Sequence, residues 1–148
     1  DNCVGVDFER WSGYCEAMEE NHLPFGDEFF IKIKYGKHGI KESYDEMYRR
    51  RNKFTALFFA SDYYAVLGIN YFYDKGLRVP DDMSVVGFDD NIFGRNIIPR
   101  LTTVSQSASE KGRLAVFQML RLIHKETLLD QNIHLDAELK IRETVRKI

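Results

Sequence analysis

Apolar and polar positions along this chain follow two alternating patterns, one typical of strands and the other typical of helices. Strand-like runs occupy 3–6, 28–34, 54–60, 83–88, 101–104 and 133–142. Between them, apolar residues spaced three and four apart predict helices at 8–18, 39–52, 62–75 and 107–125. Strands that alternate with helices in this way are typical of an α/β domain with a doubly wound, mainly parallel sheet and right-handed crossovers.

Local signals refine several of these elements. Asp7 is the expected N-cap of the first helix, and Ser107 with Glu110 forms the expected capping box of the fourth. The run 54–60 is apolar throughout, which predicts a strand that is buried on both faces of the sheet. The segment 90–100 shows neither the apolar spacing of a helix nor the alternation of a strand, so we expect it to be irregular.

Composition limits the class of protein. A chain of 148 residues with 44% apolar content is large enough for the core of one domain. Its net charge of −2 gives no global reason to expect attraction to nucleic acid or to an anionic membrane. Cys3 and Cys15, the only cysteines, indicate neither a disulfide framework nor a zinc site, which fits a cytoplasmic location. No apolar run is long enough for a membrane span, and the chain opens in what reads as the end of a strand, as a fragment would.

Candidate binding chemistry lies directly after the predicted strand 83–88, at Asp89 and Asp90. Ligands of open parallel sheets bind beyond the carboxyl ends of the strands. A carboxylate in that position can accept hydrogen bonds from two vicinal hydroxyls, as in sugar recognition. An aspartate pair after a strand is also a common turn former and helix cap, so these residues alone leave both interpretations open.

Signs of catalysis or of metal binding are weak. The histidines show no ligand spacing, and the sequence contains neither Gly-x-Ser-x-Gly nor a glycine loop for phosphate. We therefore expect no enzymatic activity, no metal and no cofactor.

The run 76–106, GLRVPDDMSVVGFDDNIFGRNIIPRLTTVSQ, resembles the C-terminal signature of the LacI/GalR family of bacterial regulators. In that family GL-x-VP-DD-x-S-VVGFDD and P-x-LTTV-x-Q occur in this order and spacing. Residues 10–14, RWSGY, match the family pattern R-x-x-G-[YF], and 141–144, IRET, resemble its closing V-R-[ED]-[ST]. The resemblance covers nearly the whole chain but only the later half of the family's two-lobed sensor.

The resemblance implies a periplasmic-binding-protein-like (type I) fold. Residues 1–106 would form the C-terminal lobe of an effector-binding domain, 107–130 a helix that normally crosses to the N-terminal lobe, and 131–148 the returning terminal strand. The DNA-binding headpiece would be absent from this chain. The implied function is effector sensing in a homodimeric regulator, expected to be a repressor, in which a sugar or sugar phosphate alters operator binding allosterically. A sugar-binding protein of an ABC importer shares this fold and stays an alternative, as does the sensor of a GntR-headed regulator.

The resemblance also implies roles for individual residues. Asp89, Arg10, Ser61 and His38 would contact the effector, whereas Asp90 would be a helix cap. An alternative for Arg10 is a local salt bridge to a neighbouring acidic residue.

Further roles concern the hinge and the dimer. Gln106 falls at the crossover between the lobes and is implied as a hinge residue, while Gly13 would let the first helix approach the sheet closely. The family usually has a small glycine at the position of Leu67, so close helix contact there is in doubt. The expected dimer interface lies on the third helix, at Tyr63, Val66, Leu67 and Asn70.

Overall fold

The computed structural model describes residues 5–127 and 132–147. Within these ranges the helices are α1 (Val6–Glu20), α2 (Gly36–Arg50), α3 (Asp62–Asp74), α4 (Ile92–Asn96) and α5 (Ala108–Ile123). The strands are β1 (Ala56–Phe58), β2 (Ser84–Phe88), β3 (Thr102–Ser105) and β4 (Glu138–Lys140). Two short 3-10 turns lie at Asp27–Phe29 and Arg51–Lys53. No helix in the described ranges is long and apolar enough to cross a membrane.

The strands form one sheet in the order β1-β2-β3-β4. β1 pairs with β2 and β2 with β3 in parallel, whereas β4 runs antiparallel to β3. The predicted α/β fold with a mainly parallel sheet is therefore confirmed. Because the first three strands point the same way, the residues that follow each of them meet at one edge of the sheet.

The core lies where α2 and α3 pack on the sheet. Its buried members are Tyr44, Met47, Phe59, Ala65, Ile69, Phe72, Met83, Val85 and Leu101. Burial of each large apolar side chain of this kind contributes ~1.5–3 kcal/mol. A Cβ on Gly68 would lie 3.0 Å from Cζ of Phe59, so α3 does approach the sheet closely, one residue after Leu67.

Two predicted strands differ from the structure. The segment 28–34 forms no strand in the described chain, and the backbone N–H of Lys34 donates to Oγ of Ser43 at 3.0 Å. The run 54–60 forms only the three-residue strand β1, which is not buried on both faces: Phe58 is 39% exposed. Among the strands of the described ranges β1 lies at the edge of the sheet, and its only strand neighbour there is β2.

Two predicted helix caps are also wrong. Gly5 is the N-cap of α1, which places Asp7 within the first turn. Ser107 precedes α5 with a φ of 48°, in the left-handed region, and makes no side-chain cap bond. N-cap residues adopt extended φ/ψ, so this conformation prevents the predicted capping box, and Glu110 instead pairs with Arg113. A Cβ on Gly13 would meet no atom within 4 Å, so Gly13 does not mark close helix–sheet contact.

Three segments have different lengths from those predicted. The stretch 90–100 contains the short helix α4, whose N-cap Asn91 accepts through its side chain from the N–H groups of Phe93 and Gly94. The last strand is confined to β4, a small part of the predicted 133–142. Of the predicted first strand, residues 1–4 lie outside the described ranges and Val6 begins α1.

Candidate functional site

The candidate site lies at the carboxyl ends of β1 and β2, which Ser61 and Asp89 follow. Nη2 of Arg10, on α1, donates to Oδ1 of Asp89 at 3.2 Å. Oγ of Ser61 donates to Oδ2 at 3.2 Å, and Nε2 of Gln106 donates to Oδ1 at 3.2 Å. The structure thus brings three predicted effector residues and the predicted hinge residue together around one carboxylate.

The guanidinium of Arg10 is held from several sides. Its Cζ lies 4.0 Å from the centre of the Phe88 ring, and Nη1 donates to the backbone carbonyl of Ala60. The side chain is 15% exposed, and in the described part of the chain its buried Nε–H has no acceptor. The alternative of a local salt bridge is wrong, because the salt-bridge partner of Arg10 is Asp89 on β2's end.

The backbone of the aspartate pair is unusual. Asp89 has a φ of 111° and Asp90 a φ of 52°, both in a region that residues other than glycine rarely adopt. The N–H of Asp89 donates to the carbonyl of Val104 at 2.9 Å, which fixes the end of β2 against β3. Strained backbone of this kind persists where the surrounding structure determines it, and it is concentrated at ligand-binding sites.

Asp90 is not the helix cap that was predicted, because Asn91 caps α4. Its carboxylate is buried and forms ion pairs with Arg95, at 2.9 Å, and with Arg142. Burial alone would raise the pKa of Asp90, but the hydrogen bonds from the two arginines outweigh it and hold the pKa below its ordinary value. The carboxylate is therefore ionised at neutral pH, and its hydrogen-bonding capacity is used by the two arginines.

A third carboxylate, Asp62, lies beneath the site and is fully buried. It accepts from the Thr103 hydroxyl at 2.6 Å and from the N–H of Asn91 at 2.8 Å. Burial raises its pKa, hydrogen bonding partly opposes that shift, and the nearby Asp89 adds to it. Asp62 ties α3 to β3 and to the start of α4, while Ser61 acts as the N-cap of α3.

Aromatic side chains surround the polar centre. A cavity of about 420 Å³ extends from Asp89 and Ser61. Its rings belong to Trp11, Phe30, Tyr35, Phe58 and Tyr64. The ring centres of Trp11 and Phe30 lie 4.9 Å apart in an edge-on arrangement.

A second hollow of about 490 Å³ shares Arg10 with this cavity, and Tyr14, Phe88 and Gln106 help to line it. Phe58 borders both and stacks on Tyr14, with the ring planes 3° from parallel.

The sequence interpretation missed this aromatic wall. Tyr35 could have been found from its position at the end of the predicted strand 28–34, next to Gly36. Phe58 was assigned to a buried strand, and only its place on an edge strand exposes it to the cavity. Trp11 falls within the predicted helix 8–18, and the helical period there carries no information about the cavity.

His38 is not brought to the cavity. It lies in the first turn of α2, where its side chain is exposed. The predicted dimer residues follow one another along α3: Tyr63 and Asn70 are exposed, and Val66 and Leu67 are half-buried. In the described ranges no group of three or more His, Cys, Asp or Glu could hold a metal ion.

Several known proteins are similar to this chain in sequence. Residues 7–145 match the model of the periplasmic binding protein-like domain. The chain is 33% identical over 140 residues to the probable HTH-type transcriptional repressor ExuR of Bacillus subtilis. That match covers 95% of this chain but 42% of ExuR, so the chain spans less than half of this relative.

Known structures share the fold. The transcriptional regulator CelR, in complex with cellobiose, aligns with a TM-score of 0.81 and 27% identity, over 93% of this chain and 42% of CelR. A LacI family transcriptional regulator from Bifidobacterium animalis subsp. lactis aligns with a TM-score of 0.81 and 25% identity, over 96% of this chain and 51% of that one.

Proposed function

The chain belongs to the family of periplasmic binding protein-like domains, and its resemblance to LacI/GalR regulators is confirmed. We propose that it is the effector-sensing part of a transcriptional regulator. A small molecule binds at Asp89 and changes the affinity of a DNA-reading segment of the same protein for its operator. No bond is made or broken in this function, which requires only that the effector prefers one conformation of the sensor. Such a protein acts in the cytoplasm.

The observation that carries the proposal is the convergence of Arg10, Ser61 and Gln106 on Asp89. A carboxylate with several donors around it offers a polyhydroxylated molecule both hydrogen-bond acceptors and hydrogen-bond donors. Asp89 can accept from two neighbouring hydroxyls, and the guanidinium of Arg10 can donate to a hydroxyl or ring oxygen.

The cavity favours a sugar over other classes of effector. Its charged lining residues are Asp7, Arg10, Lys32 and Asp89, two of each sign, so their formal charges sum to zero. A balanced site suits a neutral sugar better than a sugar phosphate. The rings of Trp11 and Tyr35 offer apolar faces to the C–H side of a pyranose, and the similar protein CelR has been solved with cellobiose.

Self-association through α3 completes the proposal. Tyr63 and Phe93 bring exposed aromatic surface of α3 and α4 together, with ring centres 6.3 Å apart. Asn70, two turns further along α3, adds an exposed polar group. Aromatic residues bordered by polar ones are typical of protein interfaces.

The full gene product tests the proposal. It is titrated by calorimetry with cellobiose, other neutral sugars, sugar phosphates and nucleobases, and its operator affinity is then measured with and without the ligand that binds. We expect a neutral sugar to bind and to change operator affinity. A protein that binds sugar but no DNA would instead be a solute-binding protein, and binding of none of these compounds would contradict sugar sensing.

A further inference from the structure

Arg142 is anchored at several points near the effector site. Its backbone N–H donates to Oγ1 of Thr102 at 2.9 Å, and Nη1 donates to the carbonyl of Leu101 at 2.8 Å. Nη2 of the same guanidinium binds the carboxylate of Asp90. The side chain is only 19% exposed, so one arginine joins the C-terminal segment to β3 and to the end of β2.

A second arginine, five residues after Asp90 in the sequence, binds the same carboxylate. Nε and Nη2 of Arg95, on α4, lie 3.1 and 2.9 Å from its two carboxylate oxygens. Arg95 is 56% exposed, whereas the Asp90 side chain is 6% exposed. Arg142 is the less exposed of the two arginines, so solvent screens its contact with Asp90 less than that of Arg95.

Asp89, the residue before Asp90, is the proposed ligand of the effector. Asp89 and Asp90 adopt positive φ in succession, a backbone conformation that requires outside support. The N–H of Asp90 meets only a long contact, 3.4 Å, to Oγ1 of Thr103. The N–H groups on either side of Asp90 are bound, that of Asp89 by the carbonyl of Val104 and that of Asn91 by Asp62, whereas Asp90 itself is held chiefly through its carboxylate, which the two arginines bind.

We propose that Arg142 is a positioning residue for the effector site: by anchoring Asp90, it keeps the backbone turn that presents the Asp89 carboxylate to Arg10 and Ser61. This inference rests on the proposed function in taking Asp89 as the effector ligand. Without Arg142, the Asp90 carboxylate moves toward Arg95 and solvent, the turn relaxes toward negative φ, and Asp89 turns away from Arg10. The C-terminal segment thereby becomes part of the effector site without touching the effector.

The test compares three variants of the full gene product. Arg142→Met keeps most of the aliphatic part of the side chain but removes the guanidinium, with its charge and its hydrogen bonds to Leu101 and Asp90. Arg142→Lys keeps the charge but lacks the planar fork that serves Leu101 and Asp90 together. Arg100→Met is the matched control, because Arg100 pairs with Glu143 in the same C-terminal segment through an exposed contact.

Two measurements are made on each variant. A crystal structure reports the φ of Asp89 and its distance to Arg10, and calorimetry with cellobiose reports affinity. We expect Arg142→Met to lose the positive φ of Asp89 and the contact with Arg10, and to bind cellobiose about tenfold more weakly or worse. Arg142→Lys should fall between Arg142→Met and the wild type, and Arg100→Met should match the wild type in both measurements.

The double variant Asp90→Asn/Arg142→Met guards against unfolding, because it leaves no unpaired buried charge. It should fold with a stability closer to the wild type and still have a displaced Asp89. If Asp89 keeps its φ and its contact with Arg10 in Arg142→Met and in the double variant, the inference is overturned. Failure of the wild type to bind any sugar would refute the proposed function instead, while the crystal structures would still decide the role of Arg142.

Discussion

The guanidinium of Arg10 lies 3.2 Å from the carboxylate of Asp89, although 79 residues separate them in the sequence. This contact joins α1 to the end of β2 and closes one side of the cavity. The two side chains are 15% and 36% exposed, so the pair is partly shielded from solvent yet reachable by a small molecule. A bound effector would have to share or replace this contact, which would place its hydroxyls between α1 and the end of β2.

Substitution of Gly87 should disturb the support beneath the site. A Cβ at this position would lie 2.2 Å from Oδ1 of the buried Asp62 and 2.7 Å from a methyl group of Leu101. We expect Gly87→Ala to lower the free energy of unfolding by ~1–3 kcal/mol, a cost typical of overpacking. Urea denaturation measures it, with Gly112→Ala as the control, since a Cβ there meets no atom within 4 Å. Equal stability of Gly87→Ala and the wild type would show that the packing of β2 against Asp62 and Leu101 can accommodate a methyl group.

The ion pairs of Asp90 should make stability depend on pH in the acid range. The pKa of Asp90 is lower in the folded protein than its ordinary value of about 3.9, because hydrogen bonds from Arg95 and Arg142 outweigh the effect of burial. Its contribution to stability is therefore fully present above about pH 4 and is lost as the pH falls through the lower, folded pKa. The wild type should be more stable than Asp90→Asn between pH 5 and 7, and the difference should shrink below about pH 4. A stability difference between the wild type and Asp90→Asn that does not change with pH would contradict a stabilising role of the ionised carboxylate.

The apolar surface of α5 should cause the 148-residue chain to self-associate. No residue of this helix is buried, and the exposed apolar side chains are Val116, Phe117, Met119, Leu120, Leu122 and Ile123. The structure leaves α5 exposed and does not fold it back over the sheet. Each large side chain left in water forfeits ~1.5–3 kcal/mol, which is large beside the ~5–15 kcal/mol stability of a typical domain. Sedimentation should detect dimers or larger species, and a monomer at all concentrations would disprove the expectation.

DNA should not be bound specifically by these 148 residues alone. The net charge is −2, and the basic cluster at Arg49, Arg50 and Arg51 is largely engaged: Arg49 and Arg50 pair with Glu46, and Arg51 lies over the ring of Tyr48. Specific binding needs side chains that reach base edges as well as phosphate contacts. A mobility shift that is selective for sequence and sensitive to salt would contradict this expectation.

The order of elements could be predicted from the sequence, because helical and strand periods are local. β2 and α3 lie close to their predicted places, since each is framed by strong signals: a turn at 80–82 before β2 and Gly76 after α3. Segment 28–34 has the right alternation, yet a strand also needs a neighbour, and pairing depends on the whole sheet. The period of 28–34 carries no information about that partner.

The polar centre of the site could also be predicted, whereas its aromatic wall could not. Asp89 and Ser61 follow strands, and a parallel sheet brings such positions together. Phe58 lines the cavity because β1 is an edge strand, a property of the sheet order rather than of the run 54–60. The pairing of Asp90 with Arg142 joins residues 52 apart, and nothing in either local pattern indicates it.

The most direct test of sugar sensing at Asp89 is Asp89→Ala in the full gene product, with the turn residue Asp81→Ala as the control. Calorimetry measures affinity for the sugar that the wild type binds, and a mobility shift measures operator binding with and without that sugar. Because Asp89 accepts from the effector and does not touch DNA in this account, the variant should lose sugar binding and keep operator binding, unresponsive to the sugar. Unchanged sugar affinity in Asp89→Ala would show that the carboxylate only supports the turn and that the effector binds elsewhere.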